Sequence, residues 1–108
     1  MNSVVIVGRA GQDAEIKYYE SGKVKTSFSL AVNRWDSKTK VEVTDWFNID
    51  VWDKQAEFAG EYVKKGRIVA VDGRVMTNKW KDNTGVERER FMVVANTVKL
   101  LGSKKEDI

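Results

Sequence analysis

Two tryptophans in the segment Thr44–Trp52 stand where a hydrophobic core has no place for them. Side chains alternate faces along a strand. Phe47, Ile49 and Val51 therefore share one face, and Trp46, Asn48, Asp50 and Trp52 share the other. The first set is wholly apolar and reads as core, which leaves two indoles on the polar side. Further on, Trp80 falls in register with Asp72, Arg74 and Asn78, and Trp35 lies in a loop-like stretch between Arg34 and Lys38. An outward indole is a flat π-surface on which any nucleobase can stack, worth roughly 1–3 kcal/mol per base whatever its identity. Interleaved lysines, Lys54, Lys79 and Lys81, can neutralise phosphates. Any one of these tryptophans is as well explained by packing against a partner subunit or under a loop; stacking on bases explains them jointly.

Other basic residues have competing explanations. Lys64 and Lys65 fall in the last turn of an expected helix, where they complement its dipole. Arg88 and Arg90 alternate with Glu87 and Glu89, as a solvated hairpin does and as a nucleic-acid-binding one does too. The net charge of +3 is a mild bias that decides nothing alone.

Most other chemistry lacks its residues. The chain has no cysteine and no histidine, so disulfides, the usual zinc sites and the commonest general base are missing. No phosphate loop, GxSxG or DxDxDG spacing occurs, which implies no metal, no cofactor and no enzyme. No apolar run approaches the ~18 residues of a membrane span, and no membrane partner is expected. The segment Met1–Val7 reads as a strand, not a signal peptide.

The elements that must position the aromatics follow from periodicity. Val4–Val7 is an apolar run ended by Gly8, and Glu15–Tyr19 resumes the strand after a bend. Ser21-Gly22 turns the chain into Val24–Asn33, which alternates over ten residues. After Thr44–Trp52, Asp53 is a candidate cap for a helix from Lys54 to Lys65, with Ala56, Phe58, Ala59, Tyr62 and Val63 on one stripe and Gly66 as its stop. Arg67–Trp80 and Val86–Leu101 form a last strand pair around Asp82–Gly85. Three strands, a helix and two long strands in 108 residues suit an all-β OB-fold: a five-stranded Greek-key barrel with one short helix between strands 3 and 4. One domain, 1–102, is expected, with 103–108 a short, charged, frayed C-terminal end.

Several of these segments together resemble the bacterial-type single-stranded DNA-binding proteins. They are Gly8–Glu15, Thr44–Phe47, Ala59–Gly66, Asp72-Gly73 and Asn78–Asp82, in order over nearly the whole chain. The resemblance implies the same OB-fold, assembled as a homotetramer on which single-stranded DNA wraps. It implies base stacking at Trp35, Trp46, Trp52 and Trp80, with Phe often standing at the position of Trp52. It also implies basic contacts along the DNA path from Lys54, Lys65 and Lys79; Lys64 and Arg88 join the candidate set beside them. Phe47 stands where many members carry a histidine near the subunit interface, and Ala14 where a proline is usual. The sequence ends at Glu106-Asp107-Ile108, without the long linker and acidic tip that recruit replication and repair proteins. Either such a tail has been removed, or the chain resembles the short cyanobacterial and plastid members that lack it; the opening Met1-Asn2-Ser3 and the closing Leu100-Leu101-Gly102-Ser103 favour the second, in bacterial cytoplasm at the nucleoid or in plastid stroma. Two alternatives stay open: an OB dimer that mainly binds protein partners, and a tRNA-binding OB module. Assembly has a further motive in Val4, Ile6 and the row Ile68, Ala70 and Met76, an expected outward aliphatic patch.

Overall fold

The computed structural model describes residues 1–102; the expected frayed end, 103–108, lies outside them. Its strands are β1 (Val4–Ala10), β2 (Glu15–Tyr18), β3 (Val24–Asp36), β4 (Val41–Trp52), β5 (Ile68–Lys81) and β6 (Glu87–Leu101), with the helix α1 (Lys54–Tyr62) between β4 and β5. β1 and β2 are the two arms of the expected first strand, separated by the bend at 11–14. Counted together they restore five strands, with the helix after the third.

The strands run in the order β1-β5-β6-β4-β3-β2, and β1 closes the barrel by pairing with β3 at Arg9–Ala31 and Ala10–Leu30. β4 and β6 are parallel over Ile49–Val51 and Val93–Ala95; the other pairs are antiparallel. This is the OB-fold arrangement. Leu30, Ile49, Val51, Val63, Val69 and Val71 fill the interior. The β3–β4 and β5–β6 hairpins are longer than the barrel needs and their outer ends project beyond it, the β5–β6 end exposed on both faces. Phe47, expected in the core, is half-buried and packs against the core from its margin.

Two local expectations are corrected. In β1, Ile6 is core and Val4 packs half-buried against it, while Val5 and Val7 face outward opposite Asp72 and Ala70. An unbroken apolar run carries no alternation to say which side is inward. Its pairing with β5, whose Val69 and Val71 already point into the core, decides it.

The helix is shorter than expected and sits differently. It ends at Tyr62 because Val63 turns extended (φ −83°, ψ 104°) to bury its side chain, so Lys64 and Lys65 fall outside the last turn. Gly66, at φ 88°, serves the turn in which Arg67 N donates to Lys64 O, a backbone position that favours glycine. Asp53 makes no side-chain cap; it takes φ 62° and ψ −127°, and its carbonyl accepts from Ala56 N at 3.0 Å. Only Ala56, Ala59 and Val63 of the expected stripe face the barrel, while Phe58 and Tyr62 pack on each other outside, with ring centroids 5.2 Å apart. The reason is close approach: a Cβ on Gly60 would already stand 3.1 Å from Ile16 and 3.2 Å from Thr26. A helix this near the strands has room beneath it only for small side chains.

Candidate nucleic-acid interface

Cross-strand register brings the aromatics onto one surface. β3 and β4 pair Trp35 with Glu42, Ala31 with Trp46, Ser29 with Asn48, Ser27 with Asp50 and Lys25 with Trp52. Paired residues share a face, so Trp35, Trp46 and Trp52 all point to the same outer side of the ribbon. Trp35 was expected in a loop; β3 instead runs on to Asp36 and carries it. The Arg34–Asp45 ion pair (2.7 Å) and the Thr44 hydroxyl donating to Asn33 Oδ1 (2.7 Å) hold that extension together.

Across the parallel β4–β6 junction the surface continues onto the last hairpin. There Trp80 pairs with Arg88, Asn78 with Arg90 and Met76 with Met92. Asn78, Arg90 and Met92 border the same groove, of about 340 Å³, as Ser27, Asn48 and Asp50. Trp35, Trp46, Trp52 and Trp80 expose 65, 60, 37 and 43 % of their surface, so each ring can be reached.

Trp46 lies directly over Gly11, whose bare Cα is what admits the ring. Trp52 stacks on Tyr19 at 5.8 Å with an interplanar angle of 25°. The ammonium of Lys25 sits 5.8 Å from the Trp52 ring and 5.9 Å from Tyr19, and that of Lys17 sits 5.2 Å from Tyr19. This paired platform with its two cations was missed in the sequence. The alternation of β3 marks Lys25 as outward, but only the β3–β4 register reveals that it faces Trp52.

The candidate basic residues are less unified. Lys54 is exposed two residues after Trp52, at the start of α1. Lys64 and Lys65 occupy the turn after the helix, where Lys65 N donates to Asp13 Oδ1 at 2.9 Å. Lys79 and Lys81 point to the side of their hairpin opposite Trp80, across from Glu89 and Glu87. Arg88 does share the Trp80 side, but its Nε donates to Asp82 Oδ2 at 2.9 Å. Arg90, left out of the candidate set, borders the groove.

Asp82 organises this hairpin's tip. Its Oδ1 accepts from the backbone and hydroxyl of Thr84 and from Val86 N. The Thr84 hydroxyl first, then Arg88, hold its carboxyl down from 3.8 to about 2. Among the described residues no cluster of potential ligands could hold a metal ion, and no helix is long and apolar enough to cross a membrane.

The sequence profile of the single-strand binding protein family matches residues 1–101. Single-stranded DNA-binding protein 1 of Synechocystis sp. is similar, 47 % identical over 108 residues that cover 99 % of this chain and 88 % of that protein. The single-stranded DNA-binding protein of Thermosynechococcus vestitus is 40 % identical over 107 residues, 98 % and 87 % of the two chains. That of Neisseria meningitidis is 38 % identical over 110 residues, 99 % of this chain and 63 % of its own.

Proposed function

Because the chain belongs to the single-strand binding protein family, we propose that it binds single-stranded DNA without regard to sequence, stacking bases on Trp35, Trp46, Trp52 and Trp80. The observation that carries this reading is the register that turns all four indoles onto one continuous outer surface. Lys17 and Lys54 are the cations best disposed to meet phosphates there, with Lys25 and Arg90 beside them at the charge-balanced groove and Arg88 at the hairpin end; Lys64, Lys65 and Lys79 are less directly placed. Such binding protects exposed strands in replication, recombination and repair. The setting is bacterial cytoplasm at the nucleoid, or plastid stroma.

A homotetramer goes with this reading. Val5, Val7 and Phe91 are exposed, and the open end of the barrel holds an apolar recess of about 330 Å³ bordered by Val4, Phe47, Val75 and Phe91. Exposed apolar surface of that kind supports association between copies. Light scattering should give four times 12.3 kDa, about 49 kDa. A stable single-chain mass refutes the assembly, and a two-chain mass favours the partner-binding dimer.

The binding reading is tested by titrating intrinsic tryptophan fluorescence with poly(dT) at two salt concentrations. Quenching is expected, with log affinity falling against log salt by about 0.7 per phosphate neutralised. Unchanged fluorescence at saturation defeats the stacking mechanism, and affinity indifferent to salt defeats the phosphate contacts.

A further inference from the structure

Between Trp46 and Trp52 the outer surface of β4 is polar. The two rings are six residues apart, about 20 Å at a strand's ~3.4 Å rise. Between them lie the rungs Ser29–Asn48 and Ser27–Asp50, which line the groove of about 340 Å³. A base bridging the two rings has no indole beneath it there and meets hydrogen-bonding groups instead. Four charged residues border this groove, Glu15 and Asp50 against Lys25 and Arg90, so their formal charges cancel. A phosphate gains little from such a balance; a neutral base edge carrying both donors and acceptors suits it.

Asp50 is buried, 9 % exposed, and its Oδ1 accepts from the Ser27 hydroxyl at 2.8 Å. Ser27 is its one side-chain partner among the described residues. An ionised carboxylate only accepts, at about four lone-pair sites, so most of its capacity is left for a ligand. Guanine offers two adjacent donors, N1–H and the N2 amine, beside the acceptor O6, which Lys25 or Arg90 can meet. Thymine offers a single N3–H between two carbonyl oxygens that a carboxylate repels. Resting on the single-strand reading above, we propose that Asp50 reads base identity at this one subsite and gives an otherwise sequence-tolerant surface a preference for guanine over thymine.

The test compares short oligo(dT) just long enough for one chain with the same strand carrying dG at its central positions. The intact protein should bind the dG strand about tenfold more tightly, the scale of one good bidentate contact to a base. Deoxyinosine, which keeps the purine ring but lacks the N2 amine, should lose most of that preference, separating donor recognition from purine stacking. Asp50→Asn still accepts from Ser27 but presents an NH₂ to the groove. Its dG/dT ratio should fall to about one or below, and a uniform affinity gain from losing a negative charge cancels in that ratio. Equal binding of dG and dT strands by the intact protein overturns the proposal and leaves single-strand binding standing. So does a preference that survives in deoxyinosine or in Asp50→Asn. Failure to bind any strand overturns the single-strand reading and this inference with it.

Discussion

Replacing Gly11 by alanine should displace the Trp46 indole without removing it. The added Cβ would stand 2.5 Å from Cζ3 and 2.9 Å from Cη2 of that ring, and 3.1 Å from Ser29 Oγ. Carbon atoms rest at about 3.5–4.0 Å, so the ring must retreat by about 1 Å or more. It can do so, because the clash falls on the far edge of a side chain that is mostly exposed. Gly11 is also outside the left-handed region that Gly22, Gly66 and Gly85 occupy, so alanine adds no backbone strain there. Loss of the ring's seat is opposed by the roughly 0.4–1 kcal/mol that Gly→Ala contributes by restricting the unfolded chain. The melting temperature should therefore move by no more than about 5 °C. Stacking on Trp46 is worth roughly 1–3 kcal/mol, and a tilted ring forfeits much of that, so affinity for a short oligo(dT) should fall by about tenfold. Fluorescence titration beside thermal melts separates the two effects. Trp46→Ala should weaken binding at least as much, and Gly11→Ala should add almost nothing to it, because both act through one ring. Wild-type affinity in Gly11→Ala beside a crippled Trp46→Ala would refute the claim that Gly11 positions the stacking surface.

Gly73→Ala is the contrasting case: its Cβ would collide with the Val94 carbonyl and come within 2.9 Å of Ala95 Cα, both backbone, at the β5–β6 bulge. It should lose about 3 kcal/mol of stability, read by urea melts. Phe47→Ala, at a half-buried position, should cost about 2 kcal/mol, below the 3–5 of a fully buried Phe. Trp52→Ala should weaken DNA binding by about 1–3 kcal/mol and lose only the roughly 0.5–1.5 kcal/mol of its stack on Tyr19 in stability; the reverse ranking of the two variants would mean β4's faces are misassigned. The Asp82 carboxyl is depressed on folding to about 2, so its contribution is present above pH 4 and lost as pH falls through about 2. Protection of the Thr84 and Val86 amides, taken against their intrinsic exchange rates, should fall over that window, and in Asp82→Asn it should be lost already at neutral pH.

The outward tryptophans of β4 were legible because alternation is local: Phe47, Ile49 and Val51 on one side leave Trp46 and Trp52 on the other wherever the strand goes. The strand sequence, the long hairpins and the helix between β4 and β5 were legible for the same reason. So was the stop near Gly66, though its role proved to be in the turn and not at the helix end. Family motifs spread over the chain did the rest, by tying these elements to one architecture.

What was not legible depends on which strand meets which. Lys25 becomes part of the Trp52 platform only through the β3–β4 register, and Lys17 and Tyr19 join it only because β2 folds back beside β3. In Val4–Val7 every residue is apolar, so the inward side is chosen by the β5 partner and not by the run itself. Phe58 and Tyr62 share the helix with Ala56 and Ala59, and nothing local says that the strands lie too close for rings. Lys79 and Trp80 are neighbours in the chain but on opposite faces of the hairpin, where Glu89 and Arg88 respectively await them. Asp50 likewise looks like one more polar residue on an outward face until Ser27, Lys25 and Arg90 arrive from two other strands to make a groove around it. Chain periodicity determines which way a side chain points from its own strand; only closure of the barrel determines what it meets, because those partners come from strands distant in sequence.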